Sequence, residues 1–159
     1  MRLAISYFYQ IRFFKPYMIP VSTCFTDPDW FHNWRSPDYN FIDKRGVING
    51  LRCENFLMQE QNIKCPCENH KTNSCGCSFL QKYSEHLESM NLDDMLRTFS
   101  IAAQFIKELL KFNEEPIIVF IVYETPSNPC SERGPLLNYF ERHNIDCKEL
   151  LYPIKDNYS

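Results

Sequence analysis

The chain is 159 residues long, 44% hydrophobic and 15% aromatic, which fits one globular domain and excludes an intrinsically disordered chain. A net charge of −3 and a pI near 5.8 argue against a broad basic face for duplex nucleic acid, but leave single strands and nucleotides open. No run reaches the ~18 apolar residues of a membrane helix, and the N-terminal segment, with Arg2, Arg12, Lys15 and an interrupting Gln10, lacks a secretory signal's apolar core. The sequence therefore reads as cytoplasmic, with no membrane partner.

In chain order, residues 3–8 (LAISYF) predict a first short strand and residues 18–25 (MIPVSTCF) a second, with a turn or short helix between them. The second strand gives way to Thr26-Asp27-Pro28-Asp29-Trp30-Phe31, where Pro28 offers no ladder N–H and the Asp residues favour a turn. Trp30, Phe31, His32 and Trp34 cluster after the strand end; packing is their plainer role and stacking on a ligand the sharper one. Residues 36–60 contain Pro37 and the glycine-broken run RGVING, and predict irregular structure.

Residues 62–78 form a cysteine-rich insertion. Cys65, Cys67, Cys75 and Cys77 make a C-x-C-x7-C-x-C pattern, and His70 lies in the intervening loop. Eight cysteines in a reducing compartment point to metal or catalysis before disulfides. Four soft donors in a short polar loop suit a tetrahedral structural Zn2+, with His70 or Cys53 as alternative ligands; an iron–sulfur cluster or free thiols are the competing readings. Four protein ligands would leave no open position for catalysis.

Residues 78–90 predict a helix with Phe79, Leu80, Tyr83, Leu87 and Met90 on one face, and His86 at its edge. Asn91 or Asp93 can cap a second helix over 94–112, whose stripe is Leu96, Phe99, Ala102, Ala103, Ile106, Leu109 and Leu110. Residues 116–123 are nearly all apolar and rich in β-branched side chains, as in a strand buried on both faces. Residues 124–134 collect turn formers and reactive groups, Pro135 suits a first helical position, and residues 145–151 predict another strand. The fold class is a single α/β domain over 1–159: a mostly parallel sheet covered by helices, with the zinc-knuckle-like insertion inside it.

Three blocks of the chain carry a resemblance: Ile5-Ser6-Tyr7-Phe8; Ile19-Pro20-Val21-Ser22 with Pro28-Asp29-Trp30-Phe31; and Val122-Tyr123-Glu124-Thr125-Pro126 through Pro129-Cys130-Ser131-Glu132-Arg133. With Cys77-Ser78-Phe79-Leu80 and the spacing between blocks, the chain resembles the family called domain of unknown function 488, especially its phage and bacterial members. The resemblance spans most of the chain and implies a fold and a place to look, with no reaction attached. Many members carry Cys-His-Arg after the Glu-bearing strand. This chain has Cys130-Ser131-Glu132-Arg133, which removes a histidine base, and the cysteine cluster is not general in the family.

In open α/β sheets ligands bind beyond the carboxyl ends of the strands, so the loop after the central strand is the first candidate site. Cys130 precedes a helix start, where backbone N–H groups favour a thiolate, and Arg133 adds positive charge. The functional reading makes Cys130 a nucleophile, Glu124 an acid or base, and Arg133 or Asn128 a clamp for phosphate or carboxylate. The plainer reading packs Cys130 under the loop, uses Ser131 as a cap and pairs Glu124 with Arg133 as a brace. Only two residues separate Cys130 from Arg133, too few for a phosphatase-type loop.

Three function classes follow. The first is an enzyme acting on a nucleotide, nucleobase or other phosphorylated small molecule, with Tyr7, Asp27, Trp30, Asn128 and Ser131 lining its site. The second is a zinc-stabilised module that binds protein or single-stranded nucleic acid through its aromatic residues. The third is a protein that sequesters a nucleotide without turning it over.

Overall fold

A computed structural model describes residues 1–24, 27–33, 78–128 and 131–150. The cysteine-rich insertion, the irregular stretch over 36–60, Trp34, Pro129 and Cys130 lie outside the described residues.

The described residues form an α/β fold. Four strands, β1 (Arg2–Tyr7), β2 (Met18–Ser22), β3 (Ile117–Val122) and β4 (Cys147–Glu149), make one parallel sheet in the order β2-β3-β1-β4. Three α-helices accompany them: α1 (Ser78–Ser89), α2 (Leu92–Leu110) and α3 (Arg133–Arg142). Short 3-10 helices follow the first two strands, at Phe8–Phe13 and Asp29–Asn33.

The centre of the sheet is β3, IIVFIV, all six residues of which are buried. Parallel strands need crossover connections that cover the sheet, so an inner strand carries apolar side chains on both faces. Side chains in one register row point to one face, which sorts the sheet into two sides. Val21, Phe120 and Ile5 share a row with Glu149, and Tyr7 lies two residues beyond Ile5 on the same face. Phe120 meets Phe99 of α2 edge-on and stacks on Phe140 of α3, both at 5.4 Å, so α2 and α3 cover that face. Ser22, Ile121 and Ser6 form the next row and point to the other face.

Element ends differ from the sequence reading for local reasons. The second strand stops at Ser22, although Thr23 N–H still reaches Ile121 O at 3.1 Å. Asn91 is the cap of α2, its side chain accepting from Asp94 N–H at 3.0 Å, so the helix begins at Leu92 and not at residue 94. It ends at Leu110 because Lys111 turns left-handed, at φ 57°. The buried seam of α2 is Met95, Phe99, Ala103 and Ile106, whereas Leu109 is turned outward with Ile101 and Phe105. α3 begins two residues before Pro135, whose missing N–H falls in the first turn, where it costs no bond. Ile145 N–H closes α3 on Phe140 O at 2.8 Å, so β4 starts only at Cys147. Among the described residues no helix is long and apolar enough to cross a membrane.

Candidate functional site

The carboxyl ends of all four strands and the first turn of α3 meet at one edge of the sheet. Tyr7 closes β1, Ser22 closes β2, Glu124 lies two residues past β3, and Glu149 closes β4. Arg133 joins three of these ends. Its Nε donates to Glu149 Oε2 at 2.7 Å, its Nη2 donates to the Glu124 carbonyl at 2.8 Å, and its guanidinium lies 5.9 Å from the centre of the Tyr7 ring. Tyr7 OH in turn accepts from Gln10 Nε2 at 3.1 Å. The brace is therefore not the Glu124–Arg133 carboxylate pair of the sequence reading: Glu124 supplies its carbonyl, and the carboxylate comes from Glu149.

A second network lies beside it. Glu132 is buried and sends its side chain to the end of β2, where Thr23 Oγ1 lies 3.0 Å and Cys24 Sγ 3.6 Å from Oε1. Burial, reinforced by the nearby Glu124 charge, pushes the Glu132 carboxyl up to about 7, against partial relief from its hydrogen bonds. Thr23 Oγ1 also lies 3.0 Å from Ile121 O, and Cys24 Sγ 3.7 Å from the same carbonyl. Each of these side chains has one proton and two acceptors. An ionised Glu132 takes both protons; a protonated Glu132 donates to Thr23 while Thr23 turns to Ile121. The network thus serves either protonation state without moving a heavy atom.

Among the described residues, five buried side-chain polar atoms have no hydrogen-bond partner: Ser6 Oγ, Gln10 Oε1, Glu124 Oε2, Arg133 Nη1 and Glu149 Oε1. Ser6 is the penultimate residue of β1, Gln10 lies in the 3-10 helix after it, Glu124 lies two residues past β3, Glu149 ends β4 and Arg133 opens α3. Leaving such an atom unpaired costs about 1–3 kcal/mol, and native folds keep few of them. Arg133 Nη1 and Glu149 Oε1 belong to the brace itself, whereas Ser6 belongs to the row that points to the opposite face. Exposed aromatic surface flanks the carboxyl edge. Phe8, next to Tyr7, packs against Tyr123 at 4.8 Å, Phe31 at 5.4 Å and Trp30 at 6.0 Å, with Trp30 and Tyr123 about half exposed.

Of the residues singled out in the sequence, Arg133, Glu124 and Tyr7 are brought together. Ser131 is buried in the same turn, its Oγ accepting from Arg133 N–H at 3.2 Å. Trp30 sits on the adjoining aromatic cluster. Asp27 accepts from the Ser22 hydroxyl, on the face of the sheet opposite Tyr7. Asn128 N–H closes a turn on Thr125 O at 3.0 Å and makes no described contact with Arg133. Cys130, Cys65, Cys67, Cys75, Cys77, His70 and Cys53 lie outside the described residues. Among the described residues no group of three or more His, Cys, Asp or Glu side chains could hold a metal. Cys24 is buried, and burial together with Asp146 and Glu149 pushes the Cys147 thiol up to about 12, which disfavours its thiolate.

Sequence reasoning missed Glu132, Thr23 and Glu149. Glu132 stands directly before Arg133, one of the residues singled out, and that adjacency was the available signal. No family model matches the chain, and neither does any curated protein or solved structure.

Proposed function

We propose that the protein is an enzyme that binds a nucleotide, nucleobase or related small molecule at the carboxyl edge of its sheet. The observation that carries this reading is the joining of strand ends at that edge by Arg133, which bonds Glu149 and the Glu124 carbonyl and lies beside the Tyr7 ring. Glu124, which is partly exposed, is the acid or base that meets the ligand. Glu132 acts through the Thr23–Cys24 network as a proton reservoir, with Arg133 fixing the geometry. Cys130 is the nucleophile in this reading, three residues before Arg133 in sequence.

This chain and the family it resembles, domain of unknown function 488, differ at the residue before Arg133. Where many members place His directly before Arg, this chain places Glu132, and a carboxyl near 7 titrates in the range of an ordinary histidine. In this reading Glu132 stands in for the histidine base that the chain lacks there. A structural Zn2+ on Cys65, Cys67, Cys75 and Cys77 belongs to the same proposal.

The test is turnover of nucleosides and nucleotides across pH. Wild-type kcat/KM should inflect near pH 7, Glu132→Gln should remove that inflection, and Glu124→Gln should lower kcat/KM about a hundredfold. Cys130→Ser should abolish turnover without unfolding the chain. An unchanged pH profile in Glu132→Gln would contradict the reservoir role, and full activity in Cys130→Ser the nucleophile. Ligand bound and recovered intact would make the protein a sequestering one.

The half-exposed rings of Trp30 and Tyr123 favour one further reading, a zinc-stabilised module that binds protein or single-stranded nucleic acid. Salt-dependent oligonucleotide binding that is lost in Trp30→Ala would support it.

A further inference from the structure

Helix α2 is apolar on two sides. Its inner seam, Met95, Phe99, Ala103 and Ile106, is buried, with Phe99 against Phe120 of the sheet, whereas Ile101, Phe105 and Leu109 are 65%, 52% and 45% exposed. Residues four apart on a helix lie one above another, so these three make a ridge about 12 Å long on the solvent side. We propose that this ridge is a self-association surface, on which a second copy of the chain lays its own α2 antiparallel.

The charges beside the ridge select both the partner and the direction. Along the exposed side of α2 they run acidic, basic, acidic, basic: Asp93 and Asp94 in the first turn, then Arg97, then Glu108 near the end, then Lys111 at the cap. At 3.6 residues per turn, Arg97 and Glu108 fall on the same flank of the ridge, with Asp93 further round it. A two-fold axis brings that flank against its own copy with the order reversed. With the axis at the level of residues 102–103, Arg97 stands level with the partner's Glu108 and Asp94 level with the partner's Lys111, each contact made twice. Ile101 then meets the partner's Phe105, and Leu109 covers the aliphatic stem of the partner's Arg97. A parallel pairing would set like charge beside like.

The charges are available for this exchange. Arg97 pairs with Asp94 within the chain, and Gln104 Nε2 donates to Glu108 Oε1 at 3.2 Å, all on the exposed side of the helix. Such exposed contacts are weak and give way at little cost. Three ridge residues per copy are far fewer than the roughly 20–30 that each side of a standard interface supplies, so the dimer is weak and forms as concentration rises.

The test is sedimentation of the intact protein from about 1 μM to about 500 μM, a span that covers a micromolar Kd. Mean mass should rise from that of one 19.0 kDa chain toward two. Ile101→Asp and Phe105→Asp each put a charge into the ridge and should hold the chain monomeric throughout. Thermal unfolding of Ile101→Asp at the lowest concentration should match the wild type, because Ile101 is the most exposed of the three. Arg97→Glu and Glu108→Arg should each weaken association at least fivefold, and the two changes together should restore it. A wild type that stays monomeric at every concentration overturns the proposal and leaves the ridge to a partner of another kind. A dimer that survives both Asp variants overturns the surface, and a double charge reversal that restores nothing overturns the antiparallel register.

Discussion

Arg133 Nε donates to Glu149 Oε2 at 2.7 Å, tying the first turn of α3 to the last residue of β4 with both side chains largely buried. The pair fixes the one guanidinium around which the carboxyl edge is built. Removing one partner leaves a buried charge alone, so Glu149→Ala should cost about 3 kcal/mol of stability. The double variant Arg133→Met, Glu149→Leu should recover most of that loss, because an apolar pair needs no desolvation of charge. Denaturant unfolding of the three proteins measures both effects.

Glu132 makes stability depend on pH in an unusual direction. Its carboxyl lies at about 7 in the fold against 4.5 ordinarily, so the folded state binds the proton more tightly than the unfolded chain. The contribution is fully present below about pH 4.5 and is lost as pH rises through 7; a shift of that size corresponds to about 3 kcal/mol. Burial likewise raises Glu149, which adds loss in the same direction. Unfolding free energy measured from pH 5 to 8 should fall in the wild type, and the fall should be much smaller in Glu132→Gln.

Phe120 and Trp30 separate packing from stacking. Phe120 is fully buried between Phe99 and Phe140, and Phe120→Ala should cost about 3–5 kcal/mol. Trp30 is about half exposed, and Trp30→Ala should cost under about 1.5 kcal/mol while weakening ligand binding. Thermal unfolding and titration on the same samples distinguish the two roles.

The cysteine insertion makes its own prediction. Protein purified without added metal should carry about one zinc per chain, with four thiols protected until denaturation. Elemental analysis with thiol counting decides it; eight reactive thiols and no metal would remove the knuckle.

The frame of the fold was legible in the sequence because its signals are local. The apolar run of β3, the seams of α1 and α2, and Asn91 as a cap each depend on residues close in the chain. Boundaries were less legible, since the left-handed turn at Lys111 and the outward setting of Leu109 follow from packing. Glu124, Arg133 and Tyr7 were singled out because strand ends collect ligands, and the fold brings them together. Glu132 was not, because its raised carboxyl is produced by burial and by Glu124, against Thr23 and Cys24 just past the end of β2, more than a hundred residues away. Glu149 displaced Glu124 as the partner of Arg133 because parallel pairing of β4 with β1 sets Glu149 beside Ile5, on the face covered by α3.

A ligand bound at the carboxyl edge would perturb the residues that Arg133 joins there. The most direct measurement is a chemical-shift map of the protein against a mixed set of nucleosides and nucleotides. Shifts should gather at Tyr7, Gln10, Glu124, the turn from Ser131 to Arg133, and Glu149. Shifts gathered instead at the opposite end of the strands, around Arg2, Asp146 and Lys148, or no shifts with any member of the set, would contradict it.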